Sequence, residues 1–175
     1  MDFSQYQGCS FIHDLNYEIP IEKQNTYDLV IDGGTIEHIF NISNAIKNIY
    51  SLIKLNGAFY ISTMCNNHAG HGFYQISAEL IYNSARHYGF EGIEVYYCPS
   101  LFPGQELVQI PIAFKVCDPG LIGERVGLVN VLPVGISSFG FKKLEITNIK
   151  ALPIQSDYKK VSDKVNTYTR KQTTF

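Results

Sequence analysis

The sequence predicts one α/β domain built on a mostly parallel sheet. Three stretches carry that expectation: the Val/Ile/Leu-rich run "YDLVID" (27–32) closed by two glycines, a helical stripe of isoleucines after it, and a second strand-like run, "AFYISTM" (58–64). Strand, helix and strand at this spacing read as a right-handed βαβ unit, whose two strands pair in parallel.

Taken in order, residues 27–32 are short, Val/Ile/Leu-rich and bounded by a double glycine, so this strand is expected to be buried on both faces and central in the sheet. In "NISNAIKNIYSLIKLNG", Ile42, Ala45, Ile46, Ile49 and Ile53 fall on one helical stripe. Asn41 or Ser43 can cap its start, and Asn56-Gly57 can stop its end. After the strand at 58–64, "CNNHAGHGFYQ" (65–75) has no apolar period and is dense in small, polar and aromatic residues, which predicts a loop at the carboxyl end of that strand. "SAELIYNSARHYG" predicts a second helix, capped by Ser77, with Leu80, Ile81, Ser84, Ala85 and Tyr88 on one face and Gly89 as its stop. "FEGIEVYYC" (90–98) reads as a strand, and 127–144 supplies one or two more, where the pattern turns strand-rich and therefore antiparallel. Residues 1–150 are read as the domain. The polar stretch 151–175, with Lys159, Lys160, Lys164, Arg170 and Lys171, is read as a tail that frays or packs on something outside the chain.

Bulk composition narrows the functional classes. With 175 residues and 45% hydrophobic content the chain suits a single core. A net charge of -2 and a pI near 6.2 provide no basic field for a phosphate backbone, so no nucleic-acid partner is expected. Cys9, Cys65, Cys98 and Cys117 are scattered without CxxC pairing, and there is no secretory leader pattern or membrane-length apolar run; a cytoplasmic setting and no membrane partner are the expectation. The charged fraction, 17%, is low while aromatics reach 13%, so part of the surface is expected to be covered.

Two clusters offer chemistry. Asp32, Gly33 and Gly34 lie where a parallel strand ends, the rim at which open α/β sheets place ligands, and Glu37-His38 follows at once. The alternative is that Asp32 caps the next turn, the glycines permit it, and His38 is a half-buried helical residue. In the 65–75 loop, His68 and His71 offer imidazoles that titrate near neutrality, with Asn67, Phe73, Tyr74 and Gln75 as hydrogen-bonding and stacking groups suited to a polyhydroxyl molecule. The alternative there is a loop whose glycines turn and whose aromatics fill the core. His68-x-x-His71 has ligand-like spacing, and Asp32, Glu37 and His38 could complete a shell. No Cys or Glu sits at a zinc-motif distance, however, and no metal is expected.

The ordered set, strand, "DGGTIEHIFN", helix ending "LIKLNGAFYIS", then "NNHAGHGFYQIS", resembles the class I S-adenosylmethionine-dependent methyltransferases, in particular a bacterial group found with sugar and surface-polysaccharide biosynthesis. The resemblance implies a Rossmann-like methyltransferase sheet with an antiparallel C-terminal strand pair. It implies S-adenosyl-L-methionine as cofactor, Asp2 as the acid ending the family's second strand, and "SFIHDLN" as the third, followed by Asp14 and Leu15 at the cofactor. Asp32, Gly33 and Gly34 would lie near the reacting methyl group. His71 or His68 would be the base, with Glu37 and His38 shaping the pocket. On this alignment the family's first strand and helix, and its glycine-rich cofactor turn, have no counterpart in the sequence. Two functions follow as expectations: methyl transfer to a small, sugar-like acceptor, impaired in this chain alone, or a non-catalytic methyltransferase-like domain whose open sheet edges are covered by a partner chain or a second copy. A nicotinamide oxidoreductase also requires a glycine-rich phosphate turn and is disfavoured.

Overall fold

A computed structural model describes residues 1–5, 8–99, 112–146 and 152–158. Its strands are β1 (Tyr27–Asp32), β2 (Ile53–Asn66), β3 (Phe90–Pro99), β4 (Phe114–Lys115) and β5 (Val134–Lys142), and its helices α1 (Ile42–Leu52), α2 (Ala78–His87) and the short α3 (Pro119–Ile122). The five strands form one sheet in the order β1-β2-β5-β3-β4. β1 and β2 pair in parallel, and β5 runs antiparallel between β2 and β3, so three of the four long strands point the same way. This is the predicted α/β class, with the reversed strands supplied by the C-terminal half. None of the described helices is long and apolar enough to cross a membrane.

α1 forms where the isoleucine stripe predicts, with Asn41 as its cap: the Asn41 side chain accepts the Asn44 N–H. The helix ends four residues before Asn56-Gly57. β2 starts directly at Ile53, and Asn56, at φ +65, instead belongs to a bulge in β2, across which the β1 register jumps from Tyr27↔Ile53 to Leu29↔Ala58. Ser77 caps α2 by accepting the Leu80 N–H.

α1 and α2 contribute to the buried core together with Phe59 and Ile61 of β2, Phe90 and Val95 of β3 and Ile136 of β5. At its centre the rings of Tyr50, Phe59 and Phe90 meet at 4.9–5.2 Å. The alternate side chains face the other way: Leu29, Ile31, Tyr60 and Phe141 are 39–65% exposed. β1 is thus not central. It has one strand neighbour among the described residues: a Val/Ile/Leu-rich run marks a strand able to be flanked on both sides, which here is flanked on one.

One cation lies inside. Lys142 Nζ donates to Ile53 O (2.8 Å), Tyr50 O (3.4 Å) and Asn25 Oδ1 (2.8 Å), so β5 adds a charged donor at the C-terminal end of α1, where Tyr50 O also accepts the Ile53 N–H. Burial lowers its pKa. A lowered folded pKa contributes stability that is fully present above the unfolded value and lost as pH falls through the folded one. Lys142→Met, of similar length, is expected to destabilise by about 1–3 kcal/mol because it removes the Nζ donor from Ile53 O and Asn25 Oδ1 inside the fold. Urea unfolding at pH 7 measures it, and a variant as stable as the parent would show the bonds to be without net value.

Residues 152–158 do not stand free as the predicted tail. Ser156 N and Oγ each donate to Glu79 Oε1 at 2.7 Å, which docks the segment on α2. The cationic positions from 159 onward, and residues 100–111 and 147–151, lie outside the described residues.

Candidate active site

The strand end works as the spacing suggests, with the capping alternative realised. Asp32 is buried, its Oδ1 accepts the Thr35 N–H (2.8 Å) and its Oδ2 the Ile36 N–H (3.3 Å). Burial pushes its carboxyl above the ordinary value, against the pull of the Thr35 N–H. The chain turns through Gly33 and Gly34, and a Cβ on Gly34 would stand 3.2 Å from Glu37 Oε1, so glycine leaves room for that carboxylate. The single 3-10 turn Ile36–His38 then sends Ile36 and Glu37 inward, both 0% exposed, and leaves His38 half out.

The loop after β2 folds back onto this turn. Phe73 N and Tyr74 N both donate to Glu37 O, at 2.7 and 3.2 Å. Tyr74 Oη donates to Phe40 O at 2.7 Å, and the Phe40 and Phe73 rings meet edge to face at 5.7 Å. Gly72, at φ +75, passes so close that a Cβ would lie 2.7 Å from Glu37 O. This clamp brings His71 Nε2 to 3.6 Å and His38 Nε2 to 3.9 Å from Glu37 Oε1. The His38 and His71 rings are 5.0 Å apart, and the His68 ring lies 6.2 Å from His71. Neither carboxylate oxygen of Glu37 has a hydrogen-bond donor among the described residues. Asn67 and Gln75 are engaged within the fold: Asn67 Nδ2 donates to Asn130 O and Leu132 O, both at 2.9 Å, and Gln75 Oε1 accepts the His68 N–H at 3.2 Å.

Beside the cluster lies a cavity of about 600 Å³. Asp2, Asp14, Leu15, Asp32 and His38 all line it, together with Phe3, Phe11 and the β1 residues. Gly33, Gly34, His68 and His71 are outside its lining, so His38 is the side chain shared by the cavity and the imidazole cluster. One wall is the isolated parallel bridge Asp2↔Ile12 and the segment after it. That segment is pinned by asparagines of α1 and its cap: Asn48 Nδ2 donates to Leu15 O (3.2 Å) and Tyr17 O (2.7 Å), Asn44 Nδ2 to Leu15 O (3.0 Å), and Asn41 N to Asn16 Oδ1 (3.0 Å). Asp14 and Asp2 each use one oxygen locally, on Asn16 N and Ser4 N, at 2.9 and 2.8 Å. Phe3, Phe11, Asn16 and Thr35 were not singled out from the sequence. The sequence signal for this wall was the row of asparagines at 41, 44 and 48, one helical face of polar residues on a helix otherwise read for its isoleucines. Cys65 adds no ready nucleophile: burial pushes its thiol up to about 11.

No protein-family model matches the chain, and no curated protein matches it in sequence. Solved structures do match in fold. An S-adenosylmethionine-dependent methyltransferase from Thermotoga maritima, described as a possible histamine N-methyltransferase, superposes with a TM-score of 0.53 at 16% identity, over 76% of this chain and 63% of that one. The chain therefore spans less than two thirds of that structure's length. A protein from Bacillus halodurans assigned as a methyltransferase aligns over 76% of this chain and 71% of its own at 11% identity, with a TM-score of 0.43, too low to carry argument. The fold is that of a methyltransferase-like Rossmann domain.

Proposed function

We propose that the chain serves S-adenosylmethionine-dependent methyl transfer to a small polyhydroxyl acceptor, with cofactor affinity low in this chain alone. One observation carries the reading: the cavity gathers Asp2, Asp14, Leu15 and Asp32 around one space and meets the histidine cluster at His38. S-adenosylmethionine, when bound, supplies an electrophilic methyl group on a sulfonium. The residues present fit its nucleoside end, since Asp2 and Asp14 are carboxylates for ribose and adenine donors and Phe3, Phe11 and Leu15 are apolar walls. They offer no glycine-rich turn for close backbone approach among the described residues, which argues for weak binding. Methyl transfer needs an aligned acceptor and, for a hydroxyl, a proton acceptor; His68 or His71 fills that role, with Phe73 and Tyr74 at the acceptor.

Calorimetric titration of the chain with S-adenosylhomocysteine tests this. Saturable binding is expected with Kd on the order of 0.1–1 mM, weakened further in Asp14→Asn. Binding tighter than tens of micromolar would overturn the view that the cofactor site is incomplete, and no saturation at several millimolar would overturn the cofactor itself.

The bare sheet face favours a second reading, a non-catalytic domain that docks a partner chain. Leu29 and Ile31 stand 51% and 65% exposed on β1, whose outer edge has no strand partner among the described residues. Under either reading, a strand laid along that edge, from a longer polypeptide or another chain, would close the cavity on that side.

A further inference from the structure

We infer that Glu37, His38 and His71 form a mononuclear binding site for a divalent transition-metal ion of the zinc class. The argument begins with Glu37. Its side chain is 0% exposed and neither oxygen accepts a hydrogen bond among the described residues, an arrangement that costs several kcal/mol for an ionised carboxylate unless a cation answers it. Two imidazole nitrogens face it at 3.6 and 3.9 Å, too far for hydrogen bonds. Those separations suit two ligands of one ion: metal bonds near 2.1 Å at tetrahedral angles separate donor atoms by roughly 3.4 Å. One donor atom from each of the three residues lies within 4.8 Å of the others, so small movements complete the shell.

The rigidity is distributed as such a site requires. Glu37 is fixed from behind by Asp32, which holds the N–H groups of Thr35 and Ile36, and from the side by the loop whose Phe73 and Tyr74 N–H groups bind Glu37 O. His38 and His71 have side chains 48% and 45% exposed and are free to rotate the remaining distance. Their exposure also leaves the outer coordination position to water or to a hydroxyl of a small molecule. Two imidazoles, one carboxylate and an open position form the donor set of hydrolytic zinc sites and of non-haem iron sites. Asp32 is engaged with the backbone N–H groups of Thr35 and Ile36 and is not a ligand.

The ion site does not rest on the methyl-transfer reading and binds whether or not the cofactor does. Where both hold, ion occupancy takes His71 as a ligand.

The test titrates the metal-stripped chain with ZnCl2 by calorimetry in a non-chelating buffer, and with Co2+ while recording its visible d–d bands. One ion per chain is expected, with Kd in the micromolar range or tighter and Co2+ absorption of the intensity seen at four- or five-coordinate centres. Glu37→Gln, His38→Ala and His71→Ala should each weaken binding by at least roughly tenfold, while His87→Ala, at the last residue of α2 and outside this group, should leave it unchanged. Circular-dichroism melts establish which variants are folded. If Glu37→Gln does not fold, the two histidine variants, at half-exposed positions, decide the matter. Binding no tighter than millimolar, or binding that survives both histidine substitutions in folded protein, overturns the site and marks any bound ion as adventitious.

Discussion

Phe59→Ala is expected to cost about 3–5 kcal/mol, a third or more of the stability of an ordinary domain of this size. Phe59 is fully buried, pairs across the sheet with Val30 on one side and Gly140 on the other, and meets the rings of Tyr50 and Phe90. The cavity left by its removal cannot collapse easily. Gly140 lies directly beneath, where even a Cβ would come within 2.8 Å of Phe59 Cε1, so the strand below offers no side chain to move into the space. Phe73→Ala, 65% exposed, is the control and should cost under about 1 kcal/mol. Guanidinium unfolding of both variants measures the difference. Equal losses would show that the aromatic centre is not where the fold is held.

Gly72→Ala should be the most damaging single change at the candidate site, and Gly70→Ala provides the comparison. Both residues have positive φ, +75 and +86, so alanine carries a similar backbone cost of about 1–2 kcal/mol at either. The surroundings separate them. At Gly70 a Cβ meets nothing within 4 Å; at Gly72 it would meet Glu37 O at 2.7 Å and Glu37 Cγ at 3.1 Å. The loop must lift away in Gly72→Ala, breaking the Phe73 and Tyr74 bonds to Glu37 O and carrying His71 off Glu37. We expect Gly72→Ala to lose roughly a further 2 kcal/mol beyond Gly70→Ala. We also expect it to shift the His71 imidazole resonances in NMR spectra, whereas Gly70→Ala leaves them in place. Matching stabilities and spectra for the pair would mean that the loop is not clamped where the structure puts it.

Local patterns were readable where a single physical rule decides them. The isoleucine stripe and Asn41 define α1 because burial on one face and satisfaction of the first free N–H groups are both short-range demands, and Ser77 does the same for α2. Asn56-Gly57 misled as a helix stop. A residue at positive φ followed by glycine suits a helix end and a strand bulge equally, and here Ile53 already pairs with Tyr27. The position of β1 at the sheet's edge was not legible, since a short Val/Ile/Leu-rich run says that a strand can be flanked on both sides, not that it is. At the site, residue types and their neighbourhood were visible: Asp32, Glu37, His38 and His71 do share one rim. What the sequence could not show is that Glu37 alone is fully buried. That depends on a loop 35 residues downstream folding over it and spending its N–H groups on the Glu37 carbonyl rather than on the carboxylate. The cavity was hidden for the same reason, because its wall is set by Asn44 and Asn48 reaching back about 30 residues.

The outer rim of β1 has a consequence for how the molecule behaves in bulk. A strand whose outer edge has no strand partner among the described residues, with Leu29 and Ile31 beside it, is a template on which a further strand can add, and nothing on β1 after Asp28 carries a charge until Asp32, which is turned inward. Concentrated solutions are therefore prone to clouding and to ordered aggregate growth from that rim. A single lysine in place of Ile31 is the smallest change that would blunt it.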